Sequence, residues 1–325
     1  MTFRPGNYSV HFAEQIEAME KTCPPKWYAN LKWLVKMMER AQHFHLPDMA
    51  RLLDMQDMPD FMPLLLRPPY PVTLIEYAAS EPAEMKDDGT NAQSSKRMVL
   101  AFDSNEGVPP YPMSFNGEAP QEEGVWIVPI FYGDVVSQWV PPSLFAFVAY
   151  EQEVRASEGM YTPDAVRKKL GLTPEQLTKR KALKLFWGGL GPELIERISR
   201  EYPGGELAFV ESQMADAQFE LNAYLQLCLV LGCSNVEAEK YPAPQKLNKA
   251  RSRANKKPFF DYHVLTVPGD ENRRNSAGSS GRTMRSHLRR GHIRRLSSGK
   301  IAWINATLVK GKASGFAAKS YGVRN

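Results

Sequence analysis

Pro71-Val-Thr-Leu-Ile-Glu-Tyr77, Arg97-Met-Val-Leu-Ala-Phe-Asp103 and Val125-Trp-Ile-Val-Pro-Ile-Phe-Tyr132 decide the fold class. Each is a short run rich in β-branched and aromatic residues, bounded by turn-forming residues, and reads as a strand. Pro68 and Pro69 lead into the first run. The polar stretch 81–95 reads as the loop to the second, and 106–123, with four prolines, as a surface loop to the third. Pro129 lacks an amide donor, which predicts an edge position or a bulge in the third strand. Together the runs predict a small antiparallel sheet covered by helices.

The sequence on either side supplies the helices. His11 to Met19 is a short candidate. Lys26 to Phe44 is a longer one, with Trp27, Leu31, Leu34, Val35 and Met38 at helical spacing. The aromatics Trp27, Tyr28 and Trp33 read as core rather than as a ligand box. His43 and His45 form an HxH pair near that helix end, with Asp48 nearby but no further ligand in sight. They read as positive charge beside a helix C-terminus. Downstream, Thr162-Pro163-Asp164 and Thr173-Pro174-Glu175 each put a cap residue before a proline. The second opens a helix predicted to run through Trp187 and to break at Gly188-Gly189, and Pro192 starts the next segment. Glu206 to Leu231 is a long helix stopped by Gly232. Its last turns are apolar on all sides, so they belong in a core together with Cys228 and Cys233.

The reading is therefore an α+β protein: a helical N-terminal region over 1–60, an α+β body over 61–240, and a C-terminal module over 241–325. Several classes drop out. No apolar run approaches the roughly 20 residues a bilayer span needs. The N-terminus lacks the basic-then-apolar order of a secretory signal, so a cytoplasmic setting is expected, with no membrane partner. Three cysteines without a CxxC pair argue against structural zinc. GxGxxG, the P-loop, GxSxG and HExxH are all missing, and no cofactor or metal is expected. Glu76, Asp103 and Glu123 fall near strand ends at a spacing that matches no metal motif, and read as solvated acids.

Charge divides the chain. From Lys240 to Asn325 there are 20 Lys and Arg against three acids, a net of +17; the first 239 residues hold 21 bases and 33 acids, a net of −12. A basic end on an acidic body points to a polyanion, nucleic acid first. Gln245 to Lys257 contains six bases, among them Lys256 and Lys257, and no acid. Phe259 to Val267 reads as a strand, and 269–284 as a mobile loop. The stretch Ser286 to Val309 reads as a hairpin: one strand from His287 through Leu296, a turn at Ser297-Ser-Gly-Lys300, and a second strand from Ile301 to Val309.

Arg289, Arg290, Arg294 and Arg295, with Arg285 just ahead and Lys300 in the turn, crowd this hairpin, and it contains no carboxylate. So much like charge is costly to bury without a partner. The guanidinium groups suit bidentate phosphate contacts, and Trp303 or Tyr262 suits stacking on a base. Without a bulge at Gly291, His287 and His292 fall on opposite faces; a bulge returns them to one side. Two imidazoles beside arginines also suit metal-independent RNA cleavage, one removing the 2′-hydroxyl proton and the other protonating the leaving oxygen. The alternatives are phosphate contact alone, and a DNA-binding or virion-associated role for the tail.

His287-Leu-Arg-Arg-Gly-His-Ile-Arg, then a glycine turn, then Ala302-Trp-Ile-Asn305, resembles the C-terminal end of the second family of type V-A anti-CRISPR proteins, carried by phages and mobile elements. The order of upstream features is similar: a proline-led strand, an apolar helix end at Leu225–Cys233, a basic linker and an aromatic strand. The resemblance implies a phage or mobile-element protein acting against host defence. The founding member of that family is understood to recognise a CRISPR effector as it is synthesised and to destroy its transcript. The resemblance thus implies a body that reads a host protein and a basic end that reaches RNA, with His287, Arg289, Arg290, Gly291, His292 and Trp303 as the residues carried over.

Overall fold

The computed structural model describes residues 6–52, 65–79, 94–109, 113–114, 120, 122–151, 185–189, 200, 202–266, 285–289, 292–298, 300–304, 307–309 and 313–316. At 113–114, 207, 285–289, 292–295, 303–304, 307–309 and 313–316 the description is of the backbone. The loop expected at 81–95 lies outside these residues apart from 94–95; half of the surface loop expected at 106–123 is described, and there Met113–Ser114 pairs as a strand rather than lying in a loop. The helix starts at Thr162 and Thr173, the segment from Pro192 and the loop at 269–284 lie wholly outside them.

Helices α1 (Tyr8–Ala18) and α2 (Pro25–Arg40) come first, followed by strands β1 (Gln42–His45), β2 (Val72–Ala78), β3 (Lys96–Asp103), β4 (Met113–Ser114), β5 (Gly124–Gly133), β6 (Gln138–Val140), β7 (Leu144–Ala149) and β8 (Leu185–Gly189). Then come α3 (Gly205–Leu231), β9 (Glu237–Tyr241), α4 (Gln245–Arg253) and β10 (Tyr262–Thr266). All ten strands join one sheet, ordered β4-β8-β7-β5-β3-β2-β1-β10-β9, with β6 paired to β5. The class is α+β, as expected. The sheet is larger than expected and mixed, because β1 runs parallel to both β2 and β10.

The three strands read from sequence form its centre in antiparallel register, with Leu74 opposite Leu100 and Leu100 opposite Val128. Each has a run of at least five consecutive buried positions. Side chains alternate across a strand, so such a run needs cover on both faces. On one face Met98, Leu100 and Phe102 meet Phe12 and Ile16 of α1 and Leu31, Leu34 and Met38 of α2. On the other, Val99 and Ala101 meet Leu221, Tyr224, Leu225 and Cys228 of α3. Cys228 and Cys233 are buried free thiols with pKa values pushed up to about 12 by burial, which fits packing. Pro129 lies in an interior strand. It stands between the residues that pair with β7, ending at Ile127, and those that pair with β6, starting at Phe131.

Two helix predictions need correction. The helix from Lys26 ends at Arg40 rather than Phe44: Ala41 is extended, and Gln42–His45 pairs on both sides as β1. His43 is therefore no exposed cation beside a helix end. It is 2% exposed, and its Nε2–H donates to the Met38 carbonyl at 3.0 Å. Leu185–Gly189 is strand β8, not the end of a helix, and Gly188 and Gly189 extend it rather than break one.

Glu76 needs a third correction. It is completely buried, and its carboxylate accepts from the backbone N–H of Tyr8 (3.0 Å) and Ser9 (2.8 Å), the first residues of α1. A carboxylate there satisfies orphan donors and the helix dipole together. Burial pushes its pKa up, and these bonds pull it partly back. Asp103 accepts from the Tyr150 hydroxyl at 2.6 Å, whereas Glu123 stays exposed beside Arg67.

Two tests follow from this packing. Arg97 and Tyr77 both donate to Glu220 Oε1 at 2.9 Å, fastening α3 to β2 and β3. Glu220→Ala strands the Arg97 charge and is expected to cost about 3–5 kcal/mol in urea unfolding; stability within 1 kcal/mol of wild type contradicts the assignment. Burial lowers the His43 pKa from 6.5 to about 4. The unfolded ring takes up a proton first as pH falls, so this contribution is full above pH 6.5 and is lost on the way down through pH 4. About 3 kcal/mol should disappear over that window, at 1.36 kcal/mol per pKa unit. His43→Gln should flatten that part of the unfolding-versus-pH curve.

Candidate nucleic-acid interface

The basic run after Lys240 folds as helix α4. Pro244 stands at its N-cap, and Asn248 N–H bonds back to the Pro244 carbonyl at 3.0 Å. Its end is a Schellman turn. Asn255 is left-handed (φ 55°), Lys256 N–H reaches the Arg251 carbonyl at 2.9 Å, and Asn255 N–H reaches that of Ser252 at 3.2 Å.

Side chains on one flank fix this helix to the body. Asn248 brackets the Phe259 main chain, donating to its carbonyl at 2.9 Å and accepting from its N–H at 2.8 Å. Arg251 donates to the Lys257 carbonyl (2.6 Å) and to Glu14 of α1 (2.5 Å), and stacks over the Phe259 ring at 4.1 Å. Lys257 pairs with Glu17 (3.0 Å) and Glu39 (2.7 Å). Burial alone lowers its pKa, but the Glu39 and Glu17 bonds outweigh that and raise it. Lys240 pairs with Asp261 at 2.8 Å. The Ala243 N–H, first, and Lys240 hold the Asp261 carboxyl below its usual pKa.

The opposite flank is free. Lys246, Lys249 and Arg253 follow i, i+3, i+7 spacing, which is one helical stripe. All three are exposed, as is Lys256 just past the turn, and none of the four makes an ion pair among the described residues. A groove of about 530 Å³ runs beside the stripe; Gln245, Lys249, Ser252 and Arg253 line it, as do Asn248 and Asp261. Charge reading alone reached Lys256 and Lys257. It missed Lys246, Lys249 and Arg253 as a set, because their signal is helical spacing within an acid-free run.

The hairpin forms two ladders. Strand β12 (His292–Arg295) pairs with β13 (Ile301–Ile304), placing Ile293 opposite Trp303 and Arg294 opposite Ala302. The Leu296 N–H closes the turn on the Lys300 carbonyl at 2.7 Å. Strand β11 (Arg285–Arg289) pairs with β14 (Thr307–Val309), placing His287 opposite Val309, and also pairs parallel to β15 (Ala313–Phe316). The two ladders have the same antiparallel register, with His287 on β11 and His292 on β12. Arg290 and Gly291 lie outside the described residues. Arg285, Arg289, Arg294 and Arg295 are placed by backbone on β11 and β12, Trp303 on β13, and Lys300 is exposed at the turn. The hairpin is tied to the body where Ser234, past the end of α3, donates N–H (2.9 Å) and hydroxyl (3.1 Å) to the Ile301 carbonyl. Tyr262 is unavailable for stacking on a base: it is 1% exposed, edge-on to His43, beside the buried Glu76.

Among the described residues no group of three His, Cys, Asp or Glu is arranged to hold a metal ion, and no helix is long and apolar enough to cross a membrane.

The AcrVA2-like family model, described as the anti-CRISPR type V subtype A2 family, matches residues 46–311. No curated protein and no solved structure matches the chain.

Proposed function

From the chain's membership of the anti-CRISPR type V subtype A2 family, which makes it a phage anti-defence protein, we propose that it recognises a host polypeptide with its α+β body and acts on RNA through the basic C-terminal hairpin, lowering expression of its target. The observation that carries this reading is the placing of the arginine-rich strands. The β12–β13 ladder begins at Ile301, whose carbonyl is held by Ser234 at the end of the long core helix. A segment with no carboxylate is thereby mounted on a folded body whose own charge is negative.

That arrangement supports a division of labour. Arg285, Arg289, Arg290, Arg294 and Arg295 supply forks for phosphate oxygens, Lys300 adds a point charge at the turn, and Trp303 offers a ring for stacking. The acidic body suits a polypeptide partner without competing for RNA. A host protein caught as a nascent chain brings its own transcript within reach of the basic end. An RNA clamp and a two-histidine ribonuclease differ in what they require, because acid–base cleavage needs both imidazoles to flank one phosphate.

The test is expression in a host cell with transcript profiling. One transcript is expected to fall with the intact protein and to recover with Arg294→Ala/Arg295→Ala. It should stay low with His287→Ala/His292→Ala if the hairpin clamps, and recover if those residues cleave. Purified protein should bind single-stranded RNA with a log–log salt slope steepened by about 0.7 per phosphate contacted. An unchanged transcriptome together with no RNA retention overturns the reading, and tighter binding to duplex DNA of any sequence replaces it with genome binding.

A further inference from the structure

We propose that helix α4 and its adjoining groove form a second nucleic-acid site, separate from the hairpin, in which Lys246, Lys249 and Arg253 take successive phosphates of one strand. The inference rests on the RNA reading above for the kind of ligand, and extends it to residues that nothing else assigns.

The helix itself does not explain the stripe. Positive charge is favoured at a helix C-terminus, which accounts for Arg253 but not for Lys246. Lys246 sits in the first turn, where a cation opposes the dipole and where α4 has no acid to offset it. Attachment to the body does not explain it either. Asn248 and Arg251 make the connections from the inward flank. Seven residues at 1.5 Å rise put Lys246 and Arg253 about 10 Å apart along the axis. A nucleic-acid strand presents about three phosphates over that rise in a duplex-like conformation, at 3.4 Å each. Three cations on one flank match that count.

The groove supplies the rest of a strand site. Gln245 and Ser252 contribute an amide and a hydroxyl beside the cations, as a sugar or base edge requires. Its single carboxylate, Asp261, is already engaged by Lys240 and the Ala243 N–H, so no free acid repels phosphate. The bonds of Asn248 and Arg251 hold the surface in place before any ligand arrives, which lowers the ordering cost of binding. RNA and DNA share the phosphodiester chemistry, and the assay separates them.

The experiment uses the full chain and fluorescence anisotropy with a labelled 12-nucleotide single-stranded RNA, the same sequence as DNA, and a duplex, over a salt series. Four variants join the wild type: Lys246→Gln/Lys249→Gln/Arg253→Gln; Arg294→Gln/Arg295→Gln in the hairpin; the two sets combined; and Lys21→Gln/Lys36→Gln as an exposed-charge control. Circular dichroism melts establish that each is folded. The α4 variant is expected to bind a single strand at least tenfold more weakly at low salt, with its log–log slope reduced by about two, at 0.7 per lost contact on a single strand. The combined variant should lose the product of the two separate factors. Wild-type slope and affinity in the α4 variant, with binding lost only in the hairpin variant, overturns the second site and leaves the RNA reading standing. Absence of binding by the wild type overturns both. Displacement of the RNA by polyglutamate as readily as by unlabelled RNA overturns the assignment to nucleic acid.

Discussion

A sheet whose central strands are apolar at consecutive positions cannot leave either face in water, and the rest of this molecule follows from that constraint. β2, β3, β5 and β7 bury both sets of alternating side chains. α1 and α2 close one face and α3 the other, giving three layers. The polar groups trapped between layers are then obliged to find partners. Glu76 takes the N-terminus of α1. Glu220 takes Arg97 and Tyr77. The Tyr224 hydroxyl donates to the Leu66 carbonyl at 2.6 Å. Each joins a helix, or the chain leading into the sheet, to a defined place, so these polar contacts set orientation where apolar burial alone leaves sliding freedom.

The same sheet connects the acidic body to the basic end. β10 lies between β1 and β9, so the chain leaves the body after α3, forms an edge strand and α4, and returns to pair with a strand from its first fifty residues. The ion pairs of this region fall along that return path. Glu14, Glu17 and Glu39 from α1 and α2 take Arg251 and Lys257. The basic segment therefore contains two kinds of cation. One kind neutralises body carboxylates and belongs to folding. The other, on the outer flank of α4, has no partner among the described residues and is available to a ligand.

What was legible in the sequence tracks how local the physical signal is. The three central strands announced themselves because β-branched runs between breakers need no distant information. The long helix to Leu231 was readable from its length and Gly232. β1 was hidden. Its residues Gln42–His45 continue an apolar pattern that suits a helix, and parallel pairing with β2 and with a strand more than 200 residues away leaves no turn signal. β8 was misread because a cap motif upstream and a Gly-Gly pair resemble a helix and its end. Glu76 looked like a strand-end acid, since nothing nearby reveals that the start of α1 lies against it. At the candidate site, composition exposed the hairpin, while the α4 stripe required a spacing argument on a segment weighed only for charge.

Charge count and charge availability are different quantities, and the second governs what the basic end can bind. Formal charge over 240–325 is +17, yet Lys240, Arg251 and Lys257 are already committed to carboxylates of the protein. A committed cation adds little to phosphate affinity, because capture by the ligand must first break a bond of comparable strength. It adds rigidity instead, and a rigid row of free cations is worth more than the same number on a floppy chain. Arg251 illustrates this: three contacts immobilise it, and its immobility orients Lys249 and Arg253 on the far side of the same helical turns. The acids of the body are thus part of the positive surface's construction, holding down the cations that position the free ones.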